Sequence, residues 1–395
     1  MATFSVDFLG CKVSHVDAHE IRDRLLRDGH SESEQADVVV ISTCCVTNEA
    51  VAKSRKAAAR AARSHERVYL TGCAANLAGS AFAGLPANVT VVARRSEETA
   101  EFVAGDVGAI GCVNANARTD RVRAFVKIQD GCSFSCNFCV IPLVRGASRS
   151  RRADAVLREI VRRVEQGHRE VVLTGINLGC FRDREAGYDL PRLVREAGAT
   201  PGLERLRLSS IEINHVDVKL IAALRETPTV ARHLHVPLQS GDDNVLAAMR
   251  RRYTTATYLR RLESLADFNL TSDVIVGFPA EDDSAFENTL RTVERAGITK
   301  VHVFPYSPRP GTVTAERDPV TPHEKKERGA RLRALSHELC LRRWQTKTDD
   351  IVLVDRPGRG YGDDYTPWLV DAPVGELVHV RAAAVTEEGI LAAAA

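Results

Sequence analysis

Cys132, Cys136 and Cys139 stand in the spacing C-x3-C-x2-C within Gly131-Cys132-Ser133-Phe134-Ser135-Cys136-Asn137-Phe138-Cys139, with no fourth cysteine in reach of the same loop. Thiolates at such spacing are metal ligands, and electron-transfer [4Fe-4S] clusters use one cysteine for each iron. Three thiolates leave one iron open to a substrate or cofactor, as catalytic zinc sites keep one position free. A closed structural zinc site would show paired C-x2-C elements and four ligands, which are absent here.

A second set of cysteines lies upstream: Cys11 in Leu9-Gly10-Cys11-Lys12, Cys44 and Cys45 in Thr43-Cys44-Cys45-Val46, and Cys73 in Gly72-Cys73-Ala74. Each follows an apolar, strand-like run. In a parallel sheet the loops after successive strands gather on one edge, where ligands bind. Three thiolates from three such loops can meet at a second cluster. Equally, cysteine is among the most buried residue types and often only packs.

The elements that must position these groups follow from periodicity. Residues 4 to about 105 alternate buried strands (Val38 to Ser42, Val68 to Thr71) with amphipathic helices (Asp17 to Arg27, Asn48 to Arg63), a small α/β sandwich. A linker is expected around Gly111 to Thr119. Strands are then expected at Val122 to Ile128, Glu170 to Thr174, Arg205 to Ser209, His233 to Val236, Thr271 to Val276 and Lys300 to Phe304. Helices are expected at Ala153 to Glu165, Val216 to Arg225, Thr257 to Ala266 and Ser284 to Ala296. Six βα units make a partial parallel barrel with its site at the C-terminal strand ends. The polar groups there are Gly175, Asn177, Ser209, Gln239, Ser240 and Gly277. His233 and His235 are read as facing opposite sides of one strand, which argues against a shared metal. Arg145, Arg149, Arg151 and Arg152 flank the cysteine loop, as phosphate ligands or as a solvated face. After a charged helix, Thr321 to about Thr346, short strands with Gly and Pro turns form a small β-barrel whose Arg359, Tyr361, Tyr365 and Trp368 offer RNA a charged, stacking surface or serve as core and rim. Cys112, Cys180 and Cys340 stand alone and read as structural.

Composition bounds the rest. The 395 residues allow two or three domains. Lys and Arg number 54 against 52 Asp and Glu, a net charge of +2, so nucleic-acid binding must come from local patches. Ten cysteines at this length are no disulfide scaffold and fit a reducing cytoplasm. No signal peptide is read at the start, and no apolar run approaches the ~20 residues of a membrane span.

The C-x3-C-x2-C loop after the first barrel strand resembles the radical S-adenosylmethionine (SAM) superfamily. That resemblance implies a cluster whose open iron holds SAM, near Gly175 and Asn177, and whose electron cleaves it to an adenosyl radical. With Leu9-Gly10-Cys11-Lys12-Val13, Val46-Thr47-Asn48 and Thr174-Gly175-Ile176, nearly the whole chain resembles the methylthiotransferases, most closely the tRNA N6-threonylcarbamoyladenosine branch. The resemblance implies two [4Fe-4S] clusters, the auxiliary one on Cys11, Cys44 and Cys73. Cys45 stands where Thr is usual and reads as the bystander. Ser14 and Asp17, where Asn and Glu are usual, are expected to loosen the surroundings of that cluster. Implied domains are 1-110 (methylthiotransferase), 118-345 (radical SAM core) and 346-395 (an RNA-binding TRAM-like barrel). The implied reaction uses one SAM to methylate a cluster-held sulfide and a second to activate C2 of adenosine 37 in a tRNA anticodon loop. It requires an electron-donating reductase and a sulfur donor. Isopentenyladenosine, a ribosomal-protein aspartate, or a non-catalytic RNA-binding iron-sulfur role are the alternatives.

Overall fold

The computed structural model describes residues 2–77, 81–94, 96–108 and 122–393, without the side chains of residues 96 and 97. Cys112 and the linker expected around Gly111 to Thr119 lie outside the described residues. The chain forms two compact units that interleave in sequence. One comprises Met1–Arg118, Asp130–Ser148 and Ser307–Arg317; the other comprises Thr119–Gln129, Arg149–Tyr306 and Asp318–Ala395.

In the first unit, β1 (Thr3–Phe8), β2 (Ser31–Glu32), β3 (Val38–Thr43), β4 (Arg67–Gly72) and β5 (Val89–Val91) form a parallel sheet in the order β2-β1-β3-β4-β5. The helices α1 (Lys12–Arg27) and α2 (Asn48–Ala61) are crossovers, and α3 (Ser96–Val107) follows β5. The run Val38-Val39-Val40-Ile41 is buried throughout because helices cover both faces. Val38 and Val40 pack with Ile21, Leu25 and Val103 on one side, and Val39 and Ile41 with Ala58 and Leu70 on the other. Strand order reverses between β1 and β3, so the loops after those strands part and leave a crevice at their C-terminal ends. Cys11, Cys44 and Cys73 follow β1, β3 and β4. They therefore emerge from three adjacent strands at that edge.

In the second unit, β6 (Arg123–Asp130) leads, through α4 (Ile141–Arg145) of the first unit, to β7 (Arg149–Ser150) and α5 (Ala153–Glu165). The chain continues with β8 (Glu170–Gly175), the hairpin β9 (Arg182–Asp183) and β10 (Tyr188–Asp189), α6 (Leu190–Gly198), β11 (Arg205–Leu208), α7 (Val218–Glu226) and β12 (His233–His235). Then come α8 (Asp243–Ala248), α9 (Thr255–Glu263), β13 (Asn269–Val276), α10 (Asp283–Arg295), β14 (Ile298–Pro305) and α11 (Pro322–Gln345). β7, β6, β8 and β11 form one sheet and β12, β13 and β14 another. Single bridges Leu206 to Val230 and Ser210 to His235 carry the order across the gap. The six expected parallel strands thus stand side by side in chain order as a partial (β/α)6 barrel. Outward residues such as Val126, Leu173, Leu206, Leu234 and Val274 enter one large core with the helices. Their neighbours in sequence point into the lumen.

A closed barrel of β15 (Asp349–Arg356), β16 (Arg359–Tyr361), β17 (Pro367–Leu369), β18 (Leu377–Thr386) and β19 (Gly389–Ala392) ends the chain. Its core holds the fully buried Trp368 with Val352, Val354 and Ile390. It docks on the N-terminal ends of the larger barrel's strands through an ion cluster. Glu170, with no exposed surface, pairs with Arg123 at 3.2 Å, Arg205 at 3.3 Å and Arg207 at 2.8 Å. Arg207 in turn donates to the carbonyls of Gly362 and Asp363, both at 2.7 Å. Tyr365 lies over Arg207 at 4.5 Å and accepts from Arg123 at 3.1 Å. Trp368, Tyr365 and Tyr361, read from sequence as an RNA-stacking surface or as core and rim, are core and joint: Tyr361 also stacks on Arg123, at 4.8 Å.

Burial alone would raise the Glu170 pKa, but the attraction of Arg207, Arg123 and Arg205 outweighs it and holds the carboxyl below its ordinary value. The stability this carboxylate contributes is therefore present above the unfolded-state pKa and is lost as pH falls through the depressed folded value. Glu170→Ala should destabilise the protein by about 3–5 kcal/mol, the cost of leaving buried charge unanswered. A shifted denaturation midpoint checks this, and the gap between variant and parent should narrow in acid.

Candidate active site

The C-x3-C-x2-C loop leaves β6 at Asp130 through a turn that only glycine fits. Gly131 has φ +68°, and a Cβ there would sit 2.2 Å from the carbonyl oxygen of Ala147. The loop's shape is then fixed by backbone bonds: Cys132 N–H to the Gly146 carbonyl at 3.0 Å, and Cys139 N–H to the Cys136 carbonyl at 3.1 Å. The Ser148 N–H reaches the Ser133 hydroxyl at 3.1 Å, and the Phe134 N–H points at the Cys132 sulfur at 3.4 Å. All three thiols are partly exposed, and all nine described cysteines are free of disulfides.

The upstream thiols belong to the same compact unit. Cys73 is buried, Cys44 half-buried and Cys11 exposed. Burial pushes the Cys44 thiol up, reinforced by the nearby Cys73 and Cys11, with Arg145 opposing. Cys73 is drawn down to about 7, first by a hydrogen bond from Cys45 and, against the cost of burial, by the Arg145 guanidinium. Cys45 moves the opposite way, because it gives its proton to that bond and sits in an apolar cluster with Val140 and Val144. Arg145 donates through Nε to the Cys73 sulfur at 3.0 Å and pairs with Asp17 at 2.8 Å and Asp130 at 3.1 Å. A buried cation facing three gathered thiols is the electrostatics that a thiolate-bound cluster needs, so the residues fit such a group. Asp17 does not loosen this neighbourhood: its carboxylate anchors Arg145. Ser14 is buried with its hydroxyl 3.8 Å from the Cys11 sulfur.

Arg145, read as one of four basic residues for RNA phosphate or a solvated face, is neither. It is enclosed by these partners. Arg151 is also engaged, with Glu159 at 2.7 Å and the Lys127 carbonyl at 2.8 Å. Arg152 remains mostly exposed beside Asp154 and Glu185. The segment after Tyr306 closes over the cysteines. Arg309, almost wholly buried, donates to the Cys45 carbonyl at 3.0 Å, and Thr314 donates to the Asn137 carbonyl through its hydroxyl at 3.1 Å.

At the barrel's strand ends, Gly175 admits the Gln129 backbone, whose carbonyl oxygen would lie 3.0 Å from any added Cβ. The Gln129 amide oxygen accepts from the Asn177 N–H at 2.8 Å, a contact sequence reading missed because nothing local pairs the two. Ser209 is buried, and its hydroxyl has no hydrogen-bond partner among the described residues, so it is open to a ligand's polar group. Gln239 takes φ +66°, strained for a side-chain-bearing residue and common at binding sites. Ser240 turns the other way: fully buried, it lies 3.5 Å from the Thr289 hydroxyl and accepts the Asp242 N–H. Gly277, at φ +74°, packs under Lys325 and gives its N–H to Glu281 at 2.7 Å. Burial raises the Glu281 pKa despite that bond and Arg328.

His233 and His235 face the same side, not opposite ones, since positions two apart on a strand share a face. Both bond the Thr271 hydroxyl, at 3.0 and 2.9 Å. His235 also meets Asp273 at 3.2 Å, and with His302 these form a group of possible metal ligands lining the lumen. Cys180 lies 3.5 Å from His215. Cys340 is half-buried against the small barrel's core, and burial lifts its thiol to about 11.

Residues 126–293 match the family described as the Radical SAM superfamily, and residues 3–93 match the family described as Uncharacterized protein family UPF0004. The chain is 36% identical to the Bacillus subtilis protein named threonylcarbamoyladenosine tRNA methylthiotransferase MtaB, over 86% of this chain and 81% of that one. It is 33% identical to the Chlamydia pneumoniae protein of the same name, over 98% of this chain and 97% of that one. Among solved structures, the radical SAM methyltransferase TsrM of Kitasatospora setae shares the fold at TM-score 0.58 and 12% identity, covering 79% of this chain and 77% of that one. The SAM radical enzyme OxsB does so at 0.51 and 9%, covering 86% and 56%. Among the described residues no helix is long and apolar enough to cross a membrane.

Gly131→Ala is expected to distort the cysteine loop by strain of about 1–3 kcal/mol plus the clash with Ala147. Anaerobically purified variant should keep its far-UV circular dichroism yet retain less iron and lose reductive SAM cleavage.

Proposed function

Since the chain belongs to the radical SAM methylthiotransferase family, and is thereby a tRNA-modifying transferase that uses a [4Fe-4S] cluster and SAM, we propose that it methylthiolates C2 of N6-threonylcarbamoyladenosine, at adenosine 37 of the anticodon loop. The observation that carries this reading is the gathering of two sets of three thiols, Cys132, Cys136, Cys139 and Cys11, Cys44, Cys73, in one compact unit. One set serves SAM and the other a second [4Fe-4S] cluster that handles sulfur. When bound, the first cluster and SAM supply a radical strong enough to activate an aromatic C–H that no ordinary base can deprotonate.

The chain's own residues supply placement. Gly175 and Asn177, held by Gln129, with Ser209 and the strained Gln239 form the polar rim for SAM; Gly277 keeps the rim open at the fifth strand end, and Ser240 braces the loop from behind. Of the adjacent cysteines, Cys44 is the ligand: it faces Cys11 and Cys73, whereas Cys45 lies in an apolar cluster and serves Cys73 as a thiol donor. The lumen supports the threonylcarbamoyl branch. His235, Asp273 and His302 present hydrogen-bonding groups suited to a urea, hydroxyl and carboxylate, and poorly suited to an isopentenyl chain. The base must leave its stack to reach this lumen, which an anticodon loop allows. The reaction places the protein in the cytoplasm with a reductase and a sulfur donor as partners.

Nucleoside mass spectrometry of tRNA from cells with and without the gene tests the reading. The 2-methylthio derivative of threonylcarbamoyladenosine should be present only with it; an unchanged level overturns the assignment. In the isolated protein, Cys44→Ala should lose about half the iron of a two-cluster enzyme, and Cys45→Ala should retain it.

A further inference from the structure

The guanidinium of Arg145 is only 7% exposed, yet it meets one sulfur and two carboxylates that come from three parts of the chain. Cys73 follows β4, Asp17 lies on α1 behind Cys11, and Asp130 ends the strand that feeds the C-x3-C-x2-C loop. Arg145 itself closes α4, directly after that loop. Each of its three nitrogens has a different partner: Nε serves the Cys73 sulfur, and the two terminal nitrogens serve Asp17 and Asp130.

We propose that Arg145 is a positioning residue for the second cluster, fixing Cys73 against the radical SAM loop and setting the cluster's reduction potential through an N–H···S bond and a fixed buried charge. This rests on the proposal that Cys11, Cys44 and Cys73 hold a cluster. Potentials of iron-sulfur centres follow net charge and hydrogen bonds to sulfur. A cation that donates to a ligand sulfur stabilises the more negative, reduced state. Without it, Asp17 and Asp130 would face the sulfur unanswered, which disfavours reduction and weakens thiolate binding alike. Lysine cannot replace it in full, because one ammonium cannot span a fork with three partners at fixed angles.

The test uses full-length chain carrying Cys132→Ala, Cys136→Ala and Cys139→Ala, reconstituted anaerobically, so that only the second cluster forms. Iron and sulfide content, electron paramagnetic resonance of the reduced protein and its midpoint potential are compared with and without Arg145→Lys and Arg145→Gln. Both variants should shift the midpoint to more negative values, glutamine more than lysine because it also loses the charge, and glutamine should retain less iron. Far-UV circular dichroism reports folding, and the lysine variant keeps the test open if glutamine does not fold. An unchanged midpoint and spectrum in Arg145→Lys at full iron content overturns the proposal while leaving the cluster assignment standing. Absence of any cluster in the background protein overturns both.

Discussion

A pocket that gathers thiols out of water accumulates negative charge as they ionise, and the fold must answer that charge or the thiols stay protonated. Here the answer is one enclosed guanidinium. Burial works against both the Arg145 cation and the Cys73 thiolate, and their mutual attraction, with Asp17 and Asp130, offsets that cost. Satisfying those partners brings together the turn after β4, the helix after Cys11 and the loop after β6. The same unit also recruits Ser307–Arg317, whose Arg309 and Thr314 hold the carbonyls of Cys45 and Asn137. The interleaving of this unit in sequence thus has a chemical cause: thiol-bearing loops require their counter-charges and backbone partners nearby, wherever the chain encodes them.

Within the second unit, the N-terminal ends of the barrel's strands solve a related problem with the signs exchanged. There one carboxylate, Glu170, is enclosed by three arginines, and the small C-terminal barrel supplies the carbonyls of Gly362, Asp363 and Ile351 that take their remaining N–H groups. A parallel barrel of six strands leaves inward-pointing side chains at its N-terminal mouth that no seventh or eighth strand covers. The ion cluster and Tyr365 fill that mouth. The lumen is left polar along its length, from Glu170 through His233 and Thr271 to Asp273.

What sequence could show was whatever is local in the chain. Cysteine spacing, β-branched strand runs and amphipathic helices depend on near neighbours, and the six barrel strands appear within two residues or so of their expected positions. Contacts across long separations were invisible. Nothing near Arg145 announces Cys73, 72 positions away, and a basic residue in a loop reads as a phosphate ligand until its partners are seen. Tyr365 and Trp368 read as stacking groups or as core for the same reason: their composition cannot say which side of a barrel they face. Ser240 was placed at the strand end, where the chain does run, but its hydroxyl turns to the helix behind. The opposite-face reading of His233 and His235 failed for a simpler reason, since a period of two puts alternate residues together.

Those two histidines show how the lumen can be selective. The Thr271 hydroxyl has one proton to give and lone pairs to receive, so it can donate to one imidazole while it accepts from the other. When the proton goes to Nδ1 of His235, the opposite nitrogen carries N–H toward Asp273 at 3.2 Å. A substituent that enters such a lumen must match the pattern or leave donors and acceptors unpaired, at about 1–3 kcal/mol for each buried group. An apolar wall has no comparable means of refusing an added hydroxyl. The polarity of the lumen therefore discriminates more sharply against an apolar substituent than an apolar lumen would against a polar one.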